Sequence, residues 1–431
     1  MKQEVEIVPY RDGPYLVRGP VVLNDQNGER IESSRRTVAL CRCGKSRMRP
    51  FCDGTHQLLR FRADSAAEQR WGGGSADGER SSNGPAAGSP TGGRLISLPA
   101  VRGPWTEALT GLLREPGWPE SLPDPPADPL ADDDFQMALY LCYELHYSGI
   151  VGVADELEWH PGILLFRAAL ERQFARAVEQ AVGAADEEDG AGGRPPAFSV
   201  GEELQRLVAQ DDGPPLSRFV ELEATLDQVL ELVVHRSAYQ LKEADPHSWA
   251  IPRLSGRAKA ALVEIQSDEY GGGRAERIHA ALFAQTMRGL GLEDRYGAHL
   301  DLLPGITLAT VNLMSWFGLH RRLRGAVTGH LAAFEMTSSV PNRRYGNGLR
   351  RLGFGAEVTD FYDEHVEADA VHENIAAWDL ADGLARAEPA LAGDIVFGAR
   401  ALLKLEARWA EHLLGSWSRN ETSLRAPLPS R

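Results

Sequence analysis

Ten successive segments carry apolar residues at three- and four-residue spacing: residues 131–149, 161–183, 201–210, 215–243, 255–269, 274–291, 305–338, 345–353, 356–382 and 385–414. Gly or Pro punctuates most of the gaps, and very little strand signal intervenes. The periodicity predicts an all-α domain over residues 98–420, with enough helices to enclose a buried site. Within it, Asp363 to His372 reads as a helix on which His365, Asp369 and His372 stand at i, i+4 and i+7. At about 100° per residue they fall within an arc of roughly 60°. Two imidazoles and a carboxylate on one stripe suit a redox-capable first-row metal. The plain alternative is a solvated helix face with two incidental histidines.

Further ligands are sought among inward carboxylates and histidines on apolar helices. Glu335 lies among apolar and small residues, where an unpaired carboxylate is costly. Glu269 ends an apolar-periodic segment just before Gly271-Gly272-Gly273, and His279 follows in Arg277-Ile278-His279-Ala280. Ten residues apart on an unbroken helix, Glu269 and His279 would diverge by about 80°, but the three glycines license a break that re-aims them. Glu243 stands at a helix end before Asp245-Pro246, where a solvated role competes with a ligand role. Glu144, His146, His320 and His330 suit core, pocket or helix-end roles. Glu364, Glu367 and Glu373 flank the stripe on other faces, as supporting or solvated groups.

The N-terminal region differs. Glu6-Ile7-Val8, Tyr15-Leu16-Val17 and Val21-Val22-Leu23 are short apolar runs separated by Asp12-Gly13 and Gly19-Pro20, with a turn at Asn27-Gly28. This predicts a small antiparallel sheet with too little core of its own, so a stapling metal is expected. Cys41, Cys43, Cys52 and His56 supply one, in the spacing C-x-C-x8-C-x3-H. Residue chemistry alone leaves a zinc cage and an iron–sulfur cluster both open. Residues 66–97 are rich in Gly, Ser, Ala and Pro and read as a flexible linker, long enough for the module to dock or to swing away.

The remaining bounds are exclusions. A net charge of −15 argues against nucleic acid as the main partner. Residues 1–65 hold 12 basic and 8 acidic residues, a balance of +4, so the rest of the chain carries −19 and the two parts attract. No apolar run is long enough to span a membrane, and MKQEVEIVPY lacks a signal-peptide core. Four cysteines, three of them within residues 41–52, suit a metal site in a reducing cytoplasm better than a disulfide framework.

Two resemblances sharpen these expectations. Residues 41–56 resemble the CDGSH iron–sulfur family (the mitoNEET type), meeting its fixed positions with Ser46, Pro50, Asp53 and Gly54. The resemblance implies a [2Fe–2S] cluster, with Cys41 and Cys43 on one iron and Cys52 and His56 on the other. Freestanding members are often dimers or tandem repeats, so with one motif here a homodimer is one way to pair the module. Glu269-x9-His279, Glu335 and His365-x3-Asp369-x2-His372 resemble the ligand pattern of haem-oxygenase-like diiron oxidases and oxygenases, over roughly residues 215–382. That resemblance implies two non-haem Fe ions, with Fe/Mn as the other pairing. One would sit on His279 and the other on His365 and His372, with Glu269, Glu335 and Asp369 as carboxylates and Glu243 as an extra ligand.

The expected architecture is therefore a small β-rich iron–sulfur module (residues 1–65), a linker, and an all-α, haem-oxygenase-like helical bundle. The expected function is O2-dependent oxidation of a small amine or amino-acid-like molecule, by N-oxygenation or oxidative C–H or C–C cleavage. The module would relay electrons from an external reductase or ferredoxin-type donor. The competing reading is an iron–sulfur electron-transfer or redox-sensing protein whose helical domain is a docking partner. A third, haem binding, fits the carboxylate-rich set poorly.

Overall fold

The computed structural model describes residues 5–25, 29–31, 33, 35–63, 65, 95–119, 121–189 and 199–429. Most of the linker and the Asn27-Gly28 turn lie outside the described residues. In the N-terminal module, β1 (Glu6–Pro9), β2 (Tyr15–Arg18) and β5 (Thr37–Leu40) form an antiparallel sheet in the order β1-β2-β5. The expected third strand is displaced. Leu23–Asn24 (β3) instead pairs with Arg30–Ile31 (β4) in a separate two-stranded ribbon. Thr37–Leu40 takes the sheet position because it is buried and delivers the chain directly to Cys41. A short helix α1 (Thr55–Leu58) carries His56.

Helices then follow one another: α2 (Pro104–Arg114), α3 (Asp133–Glu144), α4 (Pro161–Asp189), α5 (Val200–Gln210), α6 (Leu216–Leu222), α7 (Leu226–Gln240) and α8 (Asp245–Ser248). After them come α9 (Gly256–Glu269), α10 (His279–Gly289), α11 (Gly305–Leu319), α12 (Arg324–Met336), α13 (Ser339–Arg351), α14 (Ala356–Asn374), α15 (Gly383–Ala387) and α16 (Ala392–Ser418). This matches the all-α expectation, with four local corrections. The 215–243 segment breaks where Thr225 caps α7 by accepting from the Gln228 N–H. The 305–338 segment breaks at His320, whose extended backbone stops α11. The 385–414 segment restarts after Pro389. Helix α2 escaped the periodicity reading, and Pro at its first position marks its start.

Apolar packing joins the two parts. Tyr10, Leu16, Ala39 and Cys52 of the module belong to the same buried cluster as the helical core. Basic module residues also meet acidic residues of the bundle: Arg18 contacts Asp379 and Glu264 at 3.0 Å each, and Arg35 contacts Asp268 at 3.1 Å. The module is docked, and part of the core it lacks is supplied by the bundle.

Candidate metal centres

Five elements bring the predicted helical ligands together. Glu243 follows α7, Glu269 closes α9, His279 opens α10, Glu335 lies at the end of α12, and His365, Asp369 and His372 line α14. All seven are buried. The break after Glu269 is the anticipated one: Gly271, Gly272 and Gly273 all have positive φ, and His279 starts a new helix instead of continuing the old.

The atoms form two groups. Glu243, Glu269, His279 and His365 each offer a ligand atom within 4.8 Å of the others, and so do Glu269, Glu335 and His372. Glu269 belongs to both. Its Oε2 stands 2.8 Å from His279 Nδ1 and its Oε1 stands 3.5 Å from His372 Nδ1. Glu335 Oε2 is 3.3 Å and Asp369 Oδ1 3.8 Å from the same His372 nitrogen, and Glu243 Oε1 is 3.5 Å from His365 Nε2. Such separations suit ligands sharing one ion at about 2.0–2.2 Å, which stand roughly 3 Å apart when at right angles.

One expectation is corrected here. His365 groups with His279, their rings 4.3 Å apart, and not with His372. Seven residues of helix put the two α14 imidazoles on one face but about 10 Å apart along the axis, too far for one ion. Glu243, the residue left between two readings, stands in the first group.

The donor set fits cations. Glu243 Oε2, both nitrogens of His279, Asp369 Oδ2 and His372 Nδ1 are buried without a hydrogen bond, a costly arrangement unless an ion satisfies them. A small enclosed cavity is lined by Glu243, Glu269, Glu335, His365 and Asp369. Electrostatics agree. Burial raises Glu243 and Glu269 above the usual carboxylate range, and Asp369 well above it, with Glu335 adding to Asp369. His279 is pushed down to about 3, by burial first and His365 second. His365 rises to about 10, because Glu243 outweighs the opposing burial. Glu243, Glu269, Glu335 and Asp369 together carry four negative charges when ionised, the number that two divalent cations neutralise.

Supporting contacts orient the imidazoles. His365 Nδ1 donates to the Phe361 carbonyl at 2.7 Å, which presents Nε2 to Glu243. His372 Nε2 donates to Asp268 Oδ2 at 3.3 Å, which presents Nδ1 to Glu269 and Glu335. Asp268 is itself gripped by Arg35 of the module. Neither Asp268 nor Arg35 stood out in the sequence, since their link requires docking. The residues set aside there have other partners: Glu144 pairs with buried Lys242, His146 with Glu158, His320 with Glu171, and His330 with His247.

In the module, Cys41 and Cys43 Sγ atoms lie 3.8 Å apart, and Cys52 Sγ lies 3.4 Å from His56 Nδ1. Two ligands of one ion with metal–sulfur bonds near 2.3 Å come out about 3.8 Å apart in a tetrahedron. The Cys41 thiol is lowered, because backbone N–H groups of Ser46, Gly44 and Lys45 and the Cys43 sulfur outweigh burial. Asp53 shapes the loop by accepting from Arg47 and Thr55 N–H groups at 3.1 Å each.

Residues 12–57 match the family described as an iron-binding zinc finger of CDGSH type, and residues 230–407 match the family of iron-containing redox enzymes. The chain thus carries, in order, a segment matching CDGSH-type iron-binding domains and a helical segment matching iron-containing redox enzymes of haem-oxygenase-like fold. Among curated proteins it is similar to a nitrosourea synthase of Streptomyces achromogenes subsp. streptozoticus, at 28% identity over 137 residues. That match covers 32% of this chain and 29% of the relative, so the chain spans less than a third of the relative's length. Among the described residues, no helix is long and apolar enough to cross a membrane.

Proposed function

We propose that this protein is an O2-dependent non-haem diiron oxygenase or oxidase acting on a small amine or amino-acid-like molecule, and that its N-terminal module carries a [2Fe–2S] cluster supplying the electrons. The observation that carries this reading is Glu269, one buried carboxylate placed between two ligand groups as a bridge between two ions is placed. Glu243, Glu269, His279 and His365 would hold one iron, and Glu335, His372 and Asp369 the other, with Glu269 shared. Cys41, Cys43, Cys52 and His56 would hold the cluster. Bound iron supplies O2 activation and one-electron transfer at these residues.

The rest is the work of the chain. Phe361 and Asp268 fix two imidazoles in the tautomers that would leave the other ring nitrogen free to hold an ion. Apolar helices exclude water from the site. A cleft of about 370 Å³ reaches Glu243 and His365, with Phe334, Tyr345 and Trp409 along its walls. Gln240, which also lines this cleft, has an Oε1 without a hydrogen-bond partner. An unpartnered acceptor beside aromatic walls suits a small molecule that presents an N–H donor. Similarity to a nitrosourea synthase, whose named product is a nitrogen compound, supports the same class.

The test is iron and acid-labile sulfide per chain on anaerobically reconstituted protein, with Mössbauer spectra before and after O2. About four irons and two sulfides, with a sulfide-free diferrous component that reacts with O2, is the expected result given both ligand sets. Two irons and two sulfides under every loading condition would leave the cluster alone and make this an electron-transfer or sensing protein.

A further inference from the structure

One side chain joins the two candidate centres. His56 turns Nδ1 toward Cys52, at 3.4 Å, and its Nε2 donates across the docking interface to Glu373 Oε1 at 3.0 Å. Glu373 directly follows His372 in α14, and both are buried. The Glu373 carboxylate also accepts from the Gln57 and Asn374 amides. The surrounding contacts aim the loop at this spot: Arg343 of α13 donates to Asp53 Oδ2 and to Thr55 Oγ1 at 3.1 Å each. A Cβ on Gly54 would stand 3.1 Å from that of Ser339, so the loop backbone is pressed onto the start of α13.

We propose that Glu373 is a positioning residue that sets the donor strength of His56 and forms the bonded link between the two centres. The link runs from His56 through one hydrogen bond to the Glu373 side chain and then through one peptide unit to His372. It rests on the reading that both centres hold iron. The electron count is simple: the reduced module gives up one electron, one ferric ion of the helical site becomes ferrous, and no bond to a substrate changes. An external one-electron reductant restores the module. A carboxylate accepting from a ligand imidazole makes that imidazole a stronger donor. Stronger donation stabilises the oxidised form, so Glu373 holds the module's reduction potential down.

The experiment uses the iron-loaded full chain as wild type, Glu373→Gln, Glu373→Ala, Arg18→Ala and Glu335→Ala. Arg18 crosses the same interface to Asp379 and Glu264 without touching His56, so its variant loosens docking alone. Cluster absorbance confirms assembly, redox titration gives the potential, and stopped-flow mixing of the reduced protein with O2 follows cluster re-oxidation. Both Glu373 variants should shift the potential upward and slow re-oxidation at least about tenfold, the usual scale for removing a ligand's outer partner. Arg18→Ala should leave the potential where it was. An unchanged potential in both Glu373 variants overturns the proposal, and so does a shifted potential with unchanged re-oxidation. If wild-type clusters re-oxidise no faster than those of Glu335→Ala, the relay itself fails and the link with it. The potential then still reports separately on the hold of Glu373 over His56.

Discussion

Arg35 of the N-terminal module donates to Asp268 of the helical domain at 3.1 Å, and Asp268 in turn accepts from His372 at 3.3 Å. Arg35 also pairs with Glu364, the chain neighbour of His365. A residue of one domain therefore orients a candidate ligand in the other. Replacing it with alanine should lower the iron affinity of the helical site about 10- to 100-fold while the cluster absorbance of the module persists. Iron titration followed by absorbance would measure both, and unchanged affinity would show that Asp268 orients His372 unaided.

Glu335 and His365 belong to different ligand groups. Alanine at either should abolish substrate oxidation and leave the module's iron and sulfide in place, as read by product formation beside metal analysis. Turnover retained in both variants would sink the ligand assignment.

Gly271 sits at φ +67°, and a Cβ there would stand 2.6 Å from the Arg277 carbonyl carbon and 2.7 Å from the Ile278 nitrogen. Gly271→Ala must push α10 away and take His279 with it. The expected cost is about 1–3 kcal/mol of stability from backbone strain, together with reduced iron loading. A urea midpoint and a metal count would show both, and normal loading would mean that the turn has other ways to re-aim His279.

His235 is buried, with Nδ1 2.7 Å from Thr307 Oγ1 and Nε2 3.0 Å from Ser423 Oγ. Burial holds it well below the ordinary histidine value, with His412 and Arg236 adding to the effect. The folded chain therefore keeps it neutral while the unfolded chain takes up a proton below about pH 6.5. Protons bound preferentially by the unfolded state make stability fall as pH falls, by about 1.4 kcal/mol per pH unit below that value for one such group. His235→Gln should flatten this decline between pH 6.5 and 5, measured as the difference in urea midpoints from wild type. Parallel curves would mean that His235 is charged in the fold.

Lys242 and Glu144 form a buried ion pair, with Lys242 Nζ 4.3 Å from the Tyr147 ring centre and Glu144 accepting from Tyr296 at 2.7 Å. Removing Lys242 alone strands a buried carboxylate, and Lys242→Met should cost about 3–5 kcal/mol. Lys242→Met combined with Glu144→Leu should cost less than the single change, a comparison that chemical denaturation can make.

Some of this was legible in the chain and some was not. Apolar periodicity marked the helical domain, and Cys41, Cys43, Cys52 and His56 marked the module, because both are local patterns in which each residue's neighbours state its environment. His365, Asp369 and His372 stood out because their spacing puts them on one helix face, Glu335 because a carboxylate among apolar residues is costly to bury without a partner, and Glu269 because it ends a helix at three glycines. Glu373 and Glu364 were set aside as flanking charges, and Arg35 and Asp268 drew no attention. On a bare helix or loop such residues look like ordinary surface polarity, and only docking buries them. The order of the sheet likewise waited on which strand the bundle covers.

The sequence by itself determined which side chains could bind metal and on which kinds of element they stand, since composition and spacing act within one or two helical turns. Only the tertiary structure decided which of them stand together, as with His365 and His279 in place of His365 and His372. It also decided that Glu373 and Arg35 tie the two domains together. Ligand distances are set by how whole helices cross and dock, and a residue's place along its own helix does not contain that angle.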